Sequence, residues 1–169
     1  MASSSSSSPL KKHDVFISFR GEDTRANFTS FLYEALCKKH IETYIDHRIE
    51  KGEEVWEELE KAIKASALFL VVFSENYASS TWCLNELVEI MKCNKNEEDN
   101  VVVIPVFYHI EPSHVRKQTG SYHTALAKQK KQGKDKIQQW KNALFDVANL
   151  SGFDSSTYRY FLYFYFCKI

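Results

Sequence analysis

The chain has 169 residues, and its 22 basic side chains are balanced by 22 acidic ones. This length is sufficient for one domain that buries most of its apolar surface without disulfides or a structural metal. Because the charges balance, no overall field draws the chain to nucleic acid or to a membrane, and we expect neither as a partner. Its four cysteines form no CxxC pair and no zinc-ligand spacing. With no secretory segment before the domain, we expect a reduced cytoplasmic protein, with the nucleus as a second compartment.

The two ends of the chain differ in composition from the middle. Residues 1–12 contain a run of serines followed by Pro9, which is typical of a disordered leader. A transit peptide is also rich in serine and poor in acids, but this stretch lacks arginine. Residues 154–169 include an aromatic run at 160–166 that fits neither helical nor strand periodicity. Seven residues are too few to span a bilayer, so the run is an edge strand, a partner surface or an aggregation-prone segment.

In the first half of the chain, the hydrophobic pattern predicts two strands and a helix between them. The strands are expected at residues 15–19 and 42–46. A helix is expected over 24–39, with Asp23 or Thr24 as its cap. One helical stripe comprises Phe28, Phe31, Leu32, Ala35 and Leu36. A charged loop around Gly52 follows the second strand, and the next helix is centred on Trp56 and Leu59.

In the second half, continuous apolar runs predict strands at residues 68–73 and 101–108. Runs of this kind are covered on both faces, which is typical of parallel sheets. Between them, Leu84, Leu87, Val88 and Met91 define a helical stripe. Beyond the last strand, a short helix is expected to open at Pro112 and close at Gly120, and a longer one to cover 134–150. Strands that alternate with helices in this way predict an α/β fold with a flavodoxin-like, doubly wound parallel sheet.

The common signatures of enzyme active sites are missing. The chain has neither GxxxxGK[ST] nor GxGxxG, so the glycine loops that cradle phosphates are absent. HExxH and GxSxG are missing too, and the six histidines lie at neither metal nor triad spacing. The sequence pattern therefore supports no metalloprotease, serine hydrolase or P-loop NTPase.

Polar residues instead follow each of the first three predicted strands. Arg20 and Gly21 follow the first strand, Asp46 follows the second, and Ser80 and Trp82 follow the third. Ligands bind at the carboxyl ends of strands in open parallel sheets, so these side chains are expected to meet there. An arginine beside a helix N-terminus forms an anion site, and an indole offers a plane for stacking on a base.

Glu86 has two interpretations. It lies roughly 160–200° from the core stripe of its helix, at about 100° per residue, and periodicity alone therefore favours a solvated glutamate. Trp82 and Ile90 share that side of the helix, and a large indole on a wet face hints at a pocket. Both interpretations stay open at the level of spacing.

Four segments resemble a plant TIR (Toll/interleukin receptor) domain. They are DVFISFRGEDTR at 14–25, GEEVWEELEKAI at 52–63, VVFSENYASSTWCLNEL at 71–87 and IPVFYHIEPSHVRKQTGSY at 104–122. They occur in order and with family spacing, and they place the domain at 13–153. The resemblance implies a five-stranded parallel sheet with helices on both faces.

The resemblance also implies a function. Plant TIR domains cleave NAD⁺ at the nicotinamide–ribose bond with a glutamate at the position of Glu86, and the products are ADP-ribose or related signal nucleotides. By the same implication, Phe19, Arg20, Gly21, Ser80 and Trp82 line the nucleotide pocket. NAD⁺ is then the substrate, and no cofactor is expected. Cys83 matches a family cysteine linked to a second proposed activity, for which we favour ordinary packing.

Two departures from the family pattern concern self-association. After Leu150 to Phe153 the family continues with a last strand and a long helix, of which this chain holds only the start. The first-helix surface used for self-association often carries Ser-His, and here it is Ser30-Phe31. The chain is thus expected to be a TIR-only or truncated form. It is either an NAD⁺ hydrolase of plant innate immune signalling, activated by TIR self-association, or a non-catalytic adaptor that binds other TIR domains and TIR-containing receptors.

Overall fold

A computed structural model describes residues 12–46, 53–96 and 100–157. Most of the serine-rich leader, the loop at 47–52 and the aromatic run at 160–166 lie outside these residues, so the expectations for them stay predictions. The strands are β1 (His13–Phe19), β2 (Thr43–Ile45), β3 (Ser66–Phe73), β4 (Val102–Phe107) and β5 (Phe153–Asp154). The α-helices are α1 (Gly21–Thr24), α2 (Ser30–Lys38), α3 (Glu53–Lys64), α4 (Thr81–Lys95), α5 (Pro112–Lys117), α6 (Ser121–Lys128) and α7 (Lys134–Ala148).

The strands form one parallel sheet in the order β2-β1-β3-β4-β5. Alternate residues of each strand point to opposite faces, and both faces are covered. Phe16, Phe69 and Phe73 pack with α3, α4 and α7, while Ile17 and Val72 pack with α2 on the other side. This arrangement confirms the predicted flavodoxin-like, doubly wound fold.

The predicted helix at 24–39 is not continuous. A π-helical segment, Arg25–Thr29, separates α1 from α2, and Asn27 within it has non-helical backbone angles of φ −138° and ψ −105°. Asp23 is not a cap for the helix, because its carboxylate accepts hydrogen bonds from Ser74 and Asn76 across the sheet edge. Phe31 was predicted to lie in the buried stripe, but its side chain is 66% exposed, whereas Leu32 and Leu36 of the same helix are buried.

The segment after Pro112 also differs from its prediction. Helix α5 begins at Pro112 as expected but ends at Lys117, where Gln118 takes a left-handed conformation with φ 48°. Gly120 does not close it, because this glycine, with φ 60°, directly precedes α6, which the sequence analysis did not predict. Tyr122 of α6 is fully buried, and its hydroxyl donates to the Ser74 carbonyl. This tertiary contact ties α6 to the end of β3.

Candidate functional site

The sheet has a topological switch point between β1 and β3. The chain leaves β1 toward α2 on one face, and it leaves β3 toward α4 on the other face. The two connections diverge, and a crevice forms beyond the carboxyl ends of these neighbouring strands. A cavity of about 460 Å³ occupies this crevice. Its volume is in the range of small-molecule sites, about 300–1,000 Å³.

Two groups of residues, from different segments of the chain, account for most of the lining of this cavity. The helix wall consists of Ser80, Trp82, Cys83 and Glu86, from the start of α4. The charged wall consists of Arg20, Gly21, Glu22 and Arg25, from the segment after β1. The remaining lining residues are Ile17, Phe19, Asp46 and Ser79.

All six site residues expected from the sequence lie at this cavity. Phe19, Arg20 and Gly21 come from the end of β1 and the start of α1, while Ser80, Trp82 and Glu86 come from α4 and its cap. The polar residues that follow three different strands thus converge, as the topology requires. Asp46 also lines the cavity, but Ser74 and Asp23 do not; they bond to each other beside it.

The helix wall begins with a side-chain cap. Ser80 has extended backbone angles, and its Oγ accepts a hydrogen bond from the Cys83 amide at 3.3 Å. This is the usual interaction of an N-cap serine with the first turn of a helix. The cap places the first turn of α4, with its positive dipole end, against the cavity. An anionic group such as a phosphate is favoured at this position.

Glu86 is buried, contrary to the solvated position that periodicity alone favours. Only 4% of the residue is exposed, and Ile90 on the same side of α4 is fully buried. The reason is that α4 packs against α3 and α7 as well as the sheet, so its second face is also covered. The Ser18 hydroxyl donates to Glu86 Oε2 at 2.7 Å. Glu86 is therefore a buried carboxylate at the wall of a cavity.

Sequence reasoning missed two buried hydroxyl groups that are linked to Glu86 by hydrogen bonds. Ser18 is fully buried within β1, on the same side of the strand as Phe16, and Tyr77 is fully buried in the 3₁₀ turn before α4. The Ser18 and Tyr77 hydroxyl oxygens are 2.9 Å apart. The available signal was Ser18 itself, a single polar residue inside the apolar run VFISF. Burial, followed by the charges of Cys83 and Glu86, raises the pKa of Tyr77 well above its usual value.

The Trp82 side chain contacts both the cavity and the core. One part of its side chain lines the cavity, and its ring meets Trp56 of α3 edge-on, with a centroid distance of 5.3 Å. Cys83 is similarly shared, because it lines the cavity while its thiol donates to the Phe19 carbonyl at 3.4 Å. Both residues therefore join the core to the helix wall.

The charged wall is held by ion pairs. The Arg20 guanidinium contacts the carboxylates of Glu22 and Asp23. Partial burial disfavours the charged form of Asp23, but hydrogen bonds from Ser74 and Asn76 and the charge of Arg20 outweigh this and lower the pKa of its carboxyl. Arg25, which the sequence analysis did not select, lies over the Phe19 ring at 5.2 Å. A Cβ atom at Gly21 would come within 2.9 Å of Arg25, so the glycine leaves room for this stacking.

Other site types find little support in the described residues. Within 12–46, 53–96 and 100–157, no group of three histidine, cysteine or acidic side chains is placed to hold a metal ion. In the same part of the chain, no helix has the length and apolar character needed to cross a membrane.

Comparisons with known proteins place the chain in a family. Residues 12–162 match the TIR domain family model. The chain is 52% identical over 163 residues to disease resistance protein RPV1 of Vitis rotundifolia, a match covering 94% of this chain and 12% of that protein. It is 53% identical over 156 residues to the TMV resistance protein N of Nicotiana glutinosa, covering 90% and 13% respectively. The chain thus spans only about an eighth of the length of these relatives.

A solved structure agrees with this assignment. The TIR domains of the activated Roq1 resistosome superpose with a TM-score of 0.81 at 44% identity, covering 92% of this chain and 96% of that one. Since the family model matches most of the chain and relatives share half of its residues, the chain belongs to the TIR domain family.

Proposed function

We propose that this chain is an NAD⁺ nucleosidase that acts in plant innate immune signalling, with Glu86 as its catalytic residue. The observation that carries the proposal is a buried carboxylate at the wall of a cavity of about 460 Å³, beyond the carboxyl ends of a parallel sheet. The resemblance to plant TIR domains supplies the substrate. The immune role is supported by the names of the relatives, which are resistance proteins.

The chemistry suits a site with few catalytic groups. When the bond between ribose C1′ and the nicotinamide nitrogen breaks, its electron pair neutralises the positive ring, so the leaving group needs no general acid. The ribose becomes oxocarbenium-like, and a carboxylate stabilises that positive charge. Water then bonds to C1′ and releases a proton, and the products are nicotinamide and ADP-ribose. Glu86 is the carboxylate assigned to this step.

The walls of the cavity provide contacts for the rest of NAD⁺. We assign Arg20, Arg25 and the first turn of α4 to the two phosphates, because guanidinium groups and helix N-termini both bind phosphate oxygens. Trp82 and Phe19 offer aromatic surface for the rings. We assign Ser80, which also lines the cavity, to a ribose hydroxyl.

Activity is expected to depend on assembly. The solved relative is an activated resistosome that contains TIR domains, and we transfer TIR–TIR association to this chain as part of the proposal. Asp46 lines the cavity and directly precedes residues 47–52, the start of the charged loop around Gly52. The resemblance to plant TIR domains implies that this loop gates the pocket or reaches a neighbouring subunit. Association would then complete the site.

The decisive experiment is nicotinamide release from NAD⁺ by the purified protein, over a hundredfold range of protein concentration. We expect specific activity to rise with concentration, since mass action populates the assembled form. If the wild-type protein released no nicotinamide at any concentration, including under crowding, the proposed enzymatic function would be refuted. If specific activity stayed constant over this range, the enzymatic function would stand, but its dependence on assembly would be refuted.

A binding module is the second candidate, and one observation favours it. Phe31 of α2 is a large apolar side chain that is 66% exposed, on the helix that the resemblance assigns to self-association. A non-catalytic TIR domain would bind other TIR domains through such a surface. This candidate predicts concentration-dependent association in sedimentation experiments, weakened by Phe31→Ser, without nicotinamide release. The enzyme predicts both association and release.

A further inference from the structure

A chain of buried hydroxyl groups leads from the 3₁₀ turn before α4 to the carboxylate of Glu86. Ser18 Oγ donates to Glu86 Oε2 at 2.7 Å, an ordinary length for a hydrogen bond from a hydroxyl group. On its other side, Ser18 Oγ lies 2.9 Å from the Tyr77 hydroxyl. The Tyr77 hydroxyl is also 3.1 Å from the carbonyl oxygen of Cys83. Three contacts therefore connect four groups.

The number of protons determines the direction of these bonds. Each hydroxyl has one proton, and an ionised carboxylate only accepts. When Glu86 is ionised, Ser18 gives its proton to Glu86 Oε2, and the one proton of Tyr77 serves either the Ser18 oxygen or the Cys83 carbonyl. In the first arrangement both hydroxyls donate toward the carboxylate, and each bond polarises the next. A protonated Glu86 would reverse the direction, with Tyr77 donating to the Cys83 carbonyl.

The surroundings exclude water from the Ser18 and Tyr77 hydroxyls and keep both of them protonated. Ser18 and Tyr77 are fully buried, so water does not compete for their protons. Burial also raises the pKa of Tyr77, so its hydroxyl remains a donor at neutral pH. Neither residue is among the described residues that line the cavity, whereas Glu86 is. Their hydrogen bonds reach the cavity lining at the Glu86 carboxylate and, from Tyr77, at the Cys83 carbonyl.

We propose that Ser18 and Tyr77 are positioning residues that hold Glu86 ionised and in one orientation at the cavity wall. The Glu86 carboxylate then meets developing positive charge without having to reorganise, which is the property that makes preorganised groups effective. This inference rests on the proposed NAD⁺ cleavage for its catalytic meaning. The arrangement of the hydrogen bonds does not depend on that reaction.

The chain offers matched controls for both residues. Ser66 is a fully buried serine of β3, whose hydroxyl donates to the Ala62 carbonyl. Tyr122 is a fully buried tyrosine, whose hydroxyl donates to the Ser74 carbonyl at 2.8 Å. Each control removes the same group from an equally buried position but leaves Glu86 untouched. A loss caused only by an unsatisfied core would therefore appear in the controls as well.

The first measurement is the steady-state kinetics of nicotinamide release by Ser18→Ala, Tyr77→Phe, Ser66→Ala and Tyr122→Phe. We expect Ser18→Ala to lower kcat by about tenfold to a hundredfold, by analogy with the loss of an outer hydrogen bond to a metal ligand, with KM changed less than about threefold. Tyr77→Phe should have a smaller effect, and Ser18→Thr, which keeps the hydroxyl, should recover most of kcat. Equal losses in Ser18→Ala and Ser66→Ala would overturn the proposal.

The second measurement needs no activity. In protein labelled with ¹³C at glutamate Cδ, the Glu86 resonance is assigned with Glu86→Gln and titrated by NMR. Loss of a donor to the charged form should raise the pKa of Glu86 in Ser18→Ala, less so in Tyr77→Phe, and not in the two controls. Among the described residues, the charged or titratable groups that share the cavity or the hydrogen-bond network with Glu86 include Arg20, Glu22, Arg25, Asp46, Tyr77 and Cys83.

The two measurements separate the two hypotheses. If wild type releases no nicotinamide but Ser18→Ala raises the pKa of Glu86, the hydroxyl chain is real and the proposed reaction is wrong. If wild type is active but Ser18→Ala changes neither kcat nor that pKa, the reaction stands and the positioning role is refuted. Melting temperatures of all variants check that each protein is folded.

Discussion

The two walls of the cavity are built from different interactions. In the helix wall, Glu86 is 4% exposed and is held by a buried hydroxyl, and Cys83 bonds to the backbone of β1. In the charged wall, the side chains of Arg20 and Glu22 are 19% and 79% exposed and form an ion pair. Exposed ion pairs contribute little to stability, and salt screens them. Salt has little effect on buried hydrogen bonds.

If the chain cleaves NAD⁺ as proposed, this difference gives the two walls different expected tasks. A carboxylate that must act on a developing charge benefits from a fixed position, and burial with satisfied hydrogen bonds provides one. Phosphate contacts need charge more than exact placement, and partly exposed ion pairs can exchange a carboxylate for a phosphate at low cost. The backbone of the two walls differs as well. The helix wall is the start of the long helix α4, whereas the charged wall lies on the short helix α1 and the π-helical segment after it. We therefore expect kcat to depend mainly on the helix wall and KM mainly on the charged wall.

The largest expected effect is on the helix wall itself. Glu86→Gln keeps the shape and an acceptor for Ser18 but removes the charge, so NAD⁺ cleavage should fall by at least about 10²–10³-fold. Glu89→Gln on the same helix, where Glu89 pairs with Lys92, is the control and should retain activity. The activity of both variants is measured as nicotinamide release from NAD⁺. Activity of Glu86→Gln equal to that of Glu89→Gln would remove Glu86 from catalysis.

A smaller effect is expected where the helix wall meets the core. Trp82→Ala should lower turnover by about tenfold and also lower stability, since it loses an aromatic pair with Trp56 worth about 0.5–1.5 kcal/mol. Trp56→Ala breaks the same pair but removes no residue that lines the cavity. Urea denaturation and turnover should therefore separate the two variants. Equal turnover in both would mean that Trp82 serves only the core.

The charged wall should respond through KM. Arg20→Ala is expected to raise the KM for NAD⁺ by a few fold, about 1 kcal/mol or less, because this partly exposed charge is screened. Added salt should raise the KM of wild type and reduce the difference between the two proteins. Arg116→Ala on α5, outside the cavity lining, is the control. A change in kcat with KM unaltered would contradict the division of tasks between the walls.

The smallest expected effect is on stability in acid. Because the pKa of Asp23 is lower in the folded protein than its usual value, its ionised form stabilises the fold above that usual value. This stabilisation is lost as the pH falls through the lowered pKa. Wild type should therefore lose melting temperature below about pH 4 more steeply than Asp23→Asn. Parallel melting curves for the two proteins would show that Asp23 contributes nothing to acid stability.

Much of the fold follows from local pattern. The apolar runs at 68–73 and 101–108 predicted β3 and β4 within two residues at each end, because a buried parallel strand is apolar on both faces. The helix at 24–39 was less predictable. Its kink at Asn27 accompanies the binding of Asp23 to Ser74 and Asn76, residues about 50 positions away in sequence. Such a long-range contact cannot be predicted from the hydrophobic periodicity of the local sequence.

The sequence by itself determined the parallel sheet, the family motifs and the group of polar residues at the strand ends. These depend on short-range patterns, since strand and helix periods and the topology of parallel sheets are local or general properties. Only the tertiary structure decided that Glu86 is buried and that Ser18 bonds to it and to Tyr77, which lie 68 and 59 residues after Ser18 in the sequence. The physical reason is that α4 is covered on more than one side by α3, α7 and the sheet. A helix in that position buries residues that its own amphipathic pattern assigns to water.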